Sequence, residues 1–251
     1  MIDTHTHLTD EPLAPALAAV LERARARGVT ACVVPAYDIG AWRAAHALAQ
    51  QHIGVHAAAG IHPLFVAQAD LLALADDLAR GGFVAVGETG LDYVDAHADR
   101  AAQQQCFTAQ LDLARRQALP VILHCRQAHD DLLTLLRAAP GVRGVLHSCS
   151  CSREQIKPFL DLGLYVSFSG VLTRTATVKA KKLAAGVPLD RILAETDSPY
   201  IGTATHPAPN SEPADVADVI AALAAIKQVS CDEMARITSA NARALFGAPL
   251  V

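Results

Sequence analysis

Apolar and polar positions divide the chain into two alternating kinds of segment. Short, nearly continuous apolar runs rich in Val, Ile and Leu fall at Met1–His7, Thr30–Pro35, Gly54–Gly60, Val84–Glu88, Pro120–His124, Gly144–His147, Tyr165–Ser169 and Arg191–Thr196. Between them lie longer stretches with helical spacing: Pro12–Arg27, Ile39–Gln51, Ala67–Arg80, Arg100–Gln117, Asp130–Ala138, Arg153–Leu162 and Thr175–Ala185. Pro213–Lys227 and Cys231–Leu245 add two more helical stretches. Runs that are apolar throughout, rather than at every second position, suit parallel strands covered on both faces. Boundary residues agree. Gly28, Gly81-Gly82 and Gly163 fall where helices should end. Pro12 and Pro213 suit first turns. Ser152 with Gln155 reads as a capping box.

Eight strand candidates, each followed by a helix, favour an α/β fold of the closed (β/α)8 TIM-barrel type over an open doubly wound sheet. The chain has 251 residues and is 52% hydrophobic. One such barrel takes about 250 residues, so a single domain spanning 1–251 is expected. No glycine-rich phosphate loop opens a helix, which removes the nucleotide-binding reading. No apolar run reaches the roughly 18 residues a membrane span needs. The stretch MIDTHTHLTD lacks the basic and apolar regions of a signal peptide, so a cytoplasmic protein is expected.

The formal net charge of −4 argues against a broad electrostatic grip on duplex DNA. Any nucleic acid must be held locally, by a few groups and by metal. The cysteines at 32, 106, 125, 149, 151 and 231 form no disulfide framework. Cys149 and Cys151 make a C-x-C too isolated for a cysteine-rich zinc site, and small buried thiols are expected.

The chemistry is in where the histidines and acids fall. His5 and His7 close the first strand candidate, and residues two apart on a strand share a face. Glu88 ends the fourth, His124 the fifth and His147 the sixth, and Asp197 follows the eighth. In a barrel these ends meet at the C-terminal face, where active sites sit. Buried charges need partners, and metal supplies them. So many imidazoles and carboxylates exceed the needs of one tetrahedral ion. They suit two ions about 3.5–4 Å apart that share a bridging carboxylate. Coordination positions left open for water and substrate mark a catalytic rather than a structural site.

With these residues assembled, the chain resembles the TatD family of metal-dependent deoxyribonucleases, among the amidohydrolase-like barrels. The resemblance rests on an ordered set of motifs: I-D-T-H-T-H-L at the start, G-I-H-P at 60–63, V-G-E-T-G-L-D at 86–92 and L-P-V-I-L-H-C-R at 119–126. V-S-F-S-G at 166–170, L-A-E-T-D-S-P-Y at 193–200 and N-A-R-A-L-F-G at 241–247 continue it. It implies one divalent ion on His5, His7, Glu88 and Asp197 and a second on Glu88, His124 and His147, with Zn²⁺, Mg²⁺ or Mn²⁺ as candidates. Many related barrels use a carbamylated Lys as the bridge. Here no Lys precedes Lys157, which leaves Glu88 for that role.

The resemblance further implies phosphodiester hydrolysis, often 3′–5′ exonuclease action on single-stranded DNA. Asp197 and Glu88 are then the catalytic carboxylates, and Asp197 accepts the proton of the attacking water. His62, Arg126 and His129 are the expected substrate contacts, with Glu195 behind the metal ligands. Two segments depart from the family. His147-Ser148-Cys149-Ser150-Cys151 stands where H-C-F-S-G is common, and Asn210-Ser211-Glu212-Pro213 where R-N-E-P is common. An amide or ester hydrolase on the same barrel, such as an aminoacyl-tRNA deacylase, and a metal-binding protein without turnover remain open alternatives. No membrane and no obligate protein partner is implied.

Overall fold

The computed structural model describes residues 1–247, so the last four positions of the expected 1–251 domain lie outside the described residues. Eight parallel strands run in the order β1 to β8: Ile2–Asp3, Ala31–Val34, Val55–Ala59, Phe83–Asp92, Val121–Arg126, Gly144–Leu146, Tyr165–Phe168 and Ile192–Ala194. The ring closes through hydrogen bonds between the first and last strands. Thr4 N donates to Ala194 O at 3.1 Å, His7 N to Ser198 O at 2.8 Å, and Asp197 N to His5 O at 2.9 Å. Helices α1 to α7 follow successive strands on the outside: Leu17–Ala26, Ile39–Gln51, Leu71–Arg80, Arg100–Arg116, His129–Ala138, Arg153–Asp161 and Val178–Gly186. Two more, α8 (Val216–Lys227) and α9 (Cys231–Phe246), follow β8. This is the (β/α)8 TIM barrel that the strand–helix alternation predicts.

Local chemistry sets the helix ends. Asp38, Asp70, Asp99 and Ser230 each accept the backbone N–H three residues on. Ser152 and Gln155 form the expected reciprocal box at α6. The core has two layers. Ile2, Val33, Ala58, Ile122, Val145 and Leu193 fill the barrel interior, and Ala242, Leu245 and Phe246 of α9 pack onto the same cluster. The larger layer lies between strands and helices, with Trp42, Phe107, Phe159 and Phe168 among its fully buried side chains. Strand packing and α9 fill the barrel interior, and the chemistry is left to the strand ends.

Several boundaries differ from the sequence expectation. The first helix starts at Leu17, not Pro12, because the segment before it forms turns and a short 3-10 helix at Ala14–Ala16. The third starts at Leu71, capped by Asp70, and the chain from Pro63 to Gln68 is a separate 3-10 turn begun by His62. Regular pairing in β1 ends at Asp3, and Thr6 then bridges Ser198, so His5 and His7 lie on an extended continuation. Strand β4 runs past Glu88 to Asp92, because its far half pairs with β5 up to Asp92↔Arg126 after a register shift between Val86 and Thr89. Gly90 permits this. It sits at φ +142° against His124, and any Cβ there would overlap the His124 carbonyl.

Candidate functional site

The ends of β1, β4, β5, β6 and β8 bring His5, His7, Glu88, His124, His147 and Asp197 together, as the sequence reading anticipates. His5 Nε2 lies 3.2 Å from His7 Nε2, 3.4 Å from Glu88 Oε2 and 3.6 Å from Asp197 Oδ1. His7 Nε2 is 3.4 Å from Asp197 Oδ1. The other oxygen of Glu88, Oε1, lies 2.7 Å from His124 Nδ1 and 2.8 Å from His147 Nε2. Glu88 thus turns one oxygen to each half of the cluster. The His5 and His147 rings stack at 4.1 Å between centroids, which packs the halves against one another.

Supporting groups orient these rings. His124 Nε2 lies 2.9 Å from Asp92 Oδ2, so this ring nitrogen donates its proton to the carboxylate. His147 Nδ1 lies 3.6 Å from Glu195 Oε1. Glu195 is itself fixed by Ser148 N at 2.6 Å and Ser167 Oγ at 2.5 Å. Asp3 joins the ends of the barrel by accepting from Thr196 N, Thr196 Oγ1 and His5 N. Burial lifts the Asp3 carboxyl to about 8 against those hydrogen bonds. Asp197 holds a left-handed backbone, φ +53°, a conformation that persists only where the surroundings impose it.

The charge pattern tests whether metal fits. With its Nε2 proton on Asp92, a neutral His124 faces Glu88 Oε1 with a lone pair. Two acceptors at 2.7 Å need a positive charge between them, either a proton or a metal ion. The ionisation of the groups shows the same demand. Burial opposes charge on Glu88, yet the charge of His147 and the hydrogen bond from His124 hold its carboxyl well below the usual range. Burial also opposes charge on His147, yet Glu88 and Glu195 raise it well above an ordinary histidine. Asp197 is kept low by His7 and His5 despite burial. The set of imidazole nitrogens and carboxylate oxygens suits divalent first-row metals. Groupings able to hold a cation include His5–His7–Glu88 and His62–Glu88–His124.

The remaining expected contacts separate. His62 Nε2 reaches to 3.5 Å from Glu88 Oε1. Its Nδ1 accepts from Leu64 N at 3.1 Å, which fixes the proton on Nε2, facing the cluster. Burial lowers its pKa, so the ring is neutral. Arg126 stands at the rim, its side chain 60% exposed and 3.7 Å from Asp92. His129 is not drawn into the cluster. It contacts the sulfurs of Cys125 and Cys151. His206 pairs with Asp215 at 2.6 Å and ties the 200–212 loop to the start of α8. Glu212, in the segment that departs from R-N-E-P, is held by Arg23 at 2.6 Å.

Sequence reasoning assigned no role to Asp92, Gln103 or Gln110. Gln103 bonds the backbone of Asp92 at both N and O, and Gln110 does the same for Ile61. Both come from α4 and brace the segments that carry Asp92 and His62. The available signal was the spacing of Asp92, four residues after Glu88, hence on the same face if the strand continues.

The chain matches the family model for TatD-related DNases over residues 2–247. It is 36% identical to the metal-dependent hydrolase YcfH of Escherichia coli, covering 98% of this chain and 95% of that protein. It is 34% identical to the 3′-5′ ssDNA/RNA exonuclease TatD of Klebsiella pneumoniae, covering 98% of each. The crystal structure of the TatD homologue YjjV of E. coli superposes with a TM-score of 0.91 at 34% identity, covering 98% of this chain and 97% of that one. Among the described residues, no helix is long and apolar enough to cross a membrane. By whole-length match in sequence and fold, the chain belongs to the TatD family of metal-dependent hydrolases.

Proposed function

We propose that the chain is a nuclease of the 3′–5′ exonuclease type that cleaves phosphodiesters in single-stranded DNA at a pair of divalent ions. The observation that carries this is the divided carboxylate of Glu88, with His5 3.4 Å from one oxygen and His124 and His147 2.7 and 2.8 Å from the other. His5, His7, Glu88 and Asp197 would hold one ion, and Glu88, His124 and His147 the other. Bound divalent cations supply Lewis-acid polarisation of the phosphoryl group and a lowered pKa for water.

The chain's own groups do the rest. Asp197, kept ionised, accepts the proton of the attacking water. His62, with its proton fixed on Nε2, donates a hydrogen bond to a phosphate oxygen. Arg126 at the rim offers a fork to the neighbouring phosphate. Beside His7 the mouth carries an aromatic edge. Tyr200 lies 5.1 Å from His7 between ring centroids, and Tyr37 packs 4.9 Å from Phe65. Tyr200 is 59% exposed. Such faces suit stacking of unpaired bases. The net charge of −4 fits this local grip better than a wide electrostatic one.

Purified protein with added Mn²⁺ or Mg²⁺ should shorten a 5′-labelled single-stranded oligonucleotide stepwise from its 3′ end, faster than a blunt duplex. If no divalent metal supports phosphodiester cleavage while an ester or amide substrate turns over, the nuclease reading is wrong. Asp92→Asn should weaken metal affinity about 10–100-fold, the usual cost of losing a carboxylate behind a ligating imidazole. Titration with Mn²⁺ checks this.

A further inference from the structure

The loop after β6 carries chemistry that hydrolysis does not use. Residues 147–152 belong to no helix or strand. They bring the sulfurs of Cys149 and Cys151 to 3.2 Å of each other, both side chains buried. His129, at the start of α5, touches the sulfurs of Cys151 and Cys125. We propose that Cys149 and Cys151 form a peroxide-reactive thiol pair, with His129 as the group that activates Cys151 and with a reversible disulfide as the product.

The placement of charge supports the direction of attack. The hydrogen bond from Cys149, together with His129, brings the Cys151 thiol down to about 5 against the effect of burial. Contact with Cys125 and Cys151 lifts His129 to about 10. Both directions favour thiolate and imidazolium, the reactive form of a cysteine. His129 is part of the wall of an open surface cavity of about 280 Å³, shared with Tyr93, Arg100 and Gln155. The proposed approach of a hydroperoxide is from that side, past His129, to the buried Cys151.

The steps balance. The Cys151 thiolate attacks one oxygen of hydrogen peroxide, an S–O bond forms and the O–O bond breaks. The leaving hydroxide takes the proton of His129 and departs as water, so Cys151 is oxidised to a sulfenic acid and the peroxide is reduced. The Cys149 sulfur then attacks the Cys151 sulfur. The S–S bond forms as the S–O bond breaks, and the leaving hydroxide takes the Cys149 proton as a second water. The sulfurs need to close by about 1.1 Å to reach the bonded separation, over a segment free of helix or strand. That segment also holds Ser148, whose N–H bonds Glu195 behind His147. The oxidation chemistry does not depend on which substrate the barrel hydrolyses.

The test treats the intact protein with hydrogen peroxide, blocks free thiols by alkylation and maps peptides by mass. Exposed Cys231 serves as the internal reference. The 149–151 segment should become lighter by two hydrogens at least ~10-fold faster than Cys231 oxidises, and dithiothreitol should restore it. Cys149→Ser should stop the reaction at a Cys151 sulfenic acid that dimedone captures. His129→Gln should slow the loss of Cys151 to near the rate of Cys231. If Cys231 reacts first, or if Cys151 proceeds to sulfinic acid with Cys149 intact, the proposal is overturned.

Discussion

Glu88→Gln is expected to strip the centre of metal and to lower hydrolysis by roughly 10²–10⁴-fold. The substitution keeps the shape of the side chain and removes its charge. Glu88 faces both halves of the cluster: His5 lies near Oε2, and His124, His147 and His62 lie near Oε1. Loss of one partner from a buried charged pair costs about 3–5 kcal/mol, and each 1.36 kcal/mol in the barrier is about tenfold in rate. No neighbour can replace it. The first Lys in the chain, Lys157, sits on α6 at the surface and pairs with Asp161, so no lysine carbamate can bridge. Elemental analysis after dialysis, alongside hydrolysis rates and a thermal melt, separates metal loss from unfolding. A folded Glu88→Gln protein that keeps its full metal content would remove Glu88 from its bridging role.

The barrel and the convergence of histidines and carboxylates were legible because both follow from periodic rules. Apolar runs covered on both faces gave the strands, and a strand end in a barrel has one destination. His5 and His7 share a face by spacing alone, and the structure puts their Nε2 atoms 3.2 Å apart. What escaped depends on contacts between distant segments. Strand β4 was expected to stop at Glu88, short of Gly90. The glycine is there because β4 and β5 approach too closely for a side chain at that point. The early stop hid Asp92, which shares the face of Glu88 and orients His124. Gln103 and Gln110 fall within the expected helix Arg100–Gln117 with no role assigned, and both are buried and serve strand-end backbone. A pattern of polar positions cannot separate a buried amide that is satisfied from one that is exposed. His129 was expected at the mouth because it follows His124 by five positions. It opens α5 beside Cys125 and Cys151, in the wall of a surface cavity with Tyr93 and Gln127, and not among the clustered imidazoles.

Asp197→Asn should cut turnover by about 10²–10⁴-fold, the range for loss of a general base, while much of the bound metal stays. The proposed function gives this carboxylate two roles, and the substitution divides them. As a ligand it would be one of several groups around its ion, since His5 Nε2 lies 3.2 Å from His7 Nε2 and 3.4 Å from Glu88 Oε2 on the same side. As a proton acceptor it has no substitute nearby. Glu88 is committed to the imidazoles, and Glu195 accepts from Ser148 N and Ser167 Oγ. Asp197 is also held in place. Its backbone bonds His5 O and Ile201 N, which preserves the φ +53° turn, and asparagine tolerates that conformation as readily as aspartate. The variant should therefore fold normally. Its remaining rate should rise with pH, because hydroxide in solution removes the need for a base. If excess metal restores the wild-type rate instead, Asp197 acts only by holding the ion, and the proton must leave by another group.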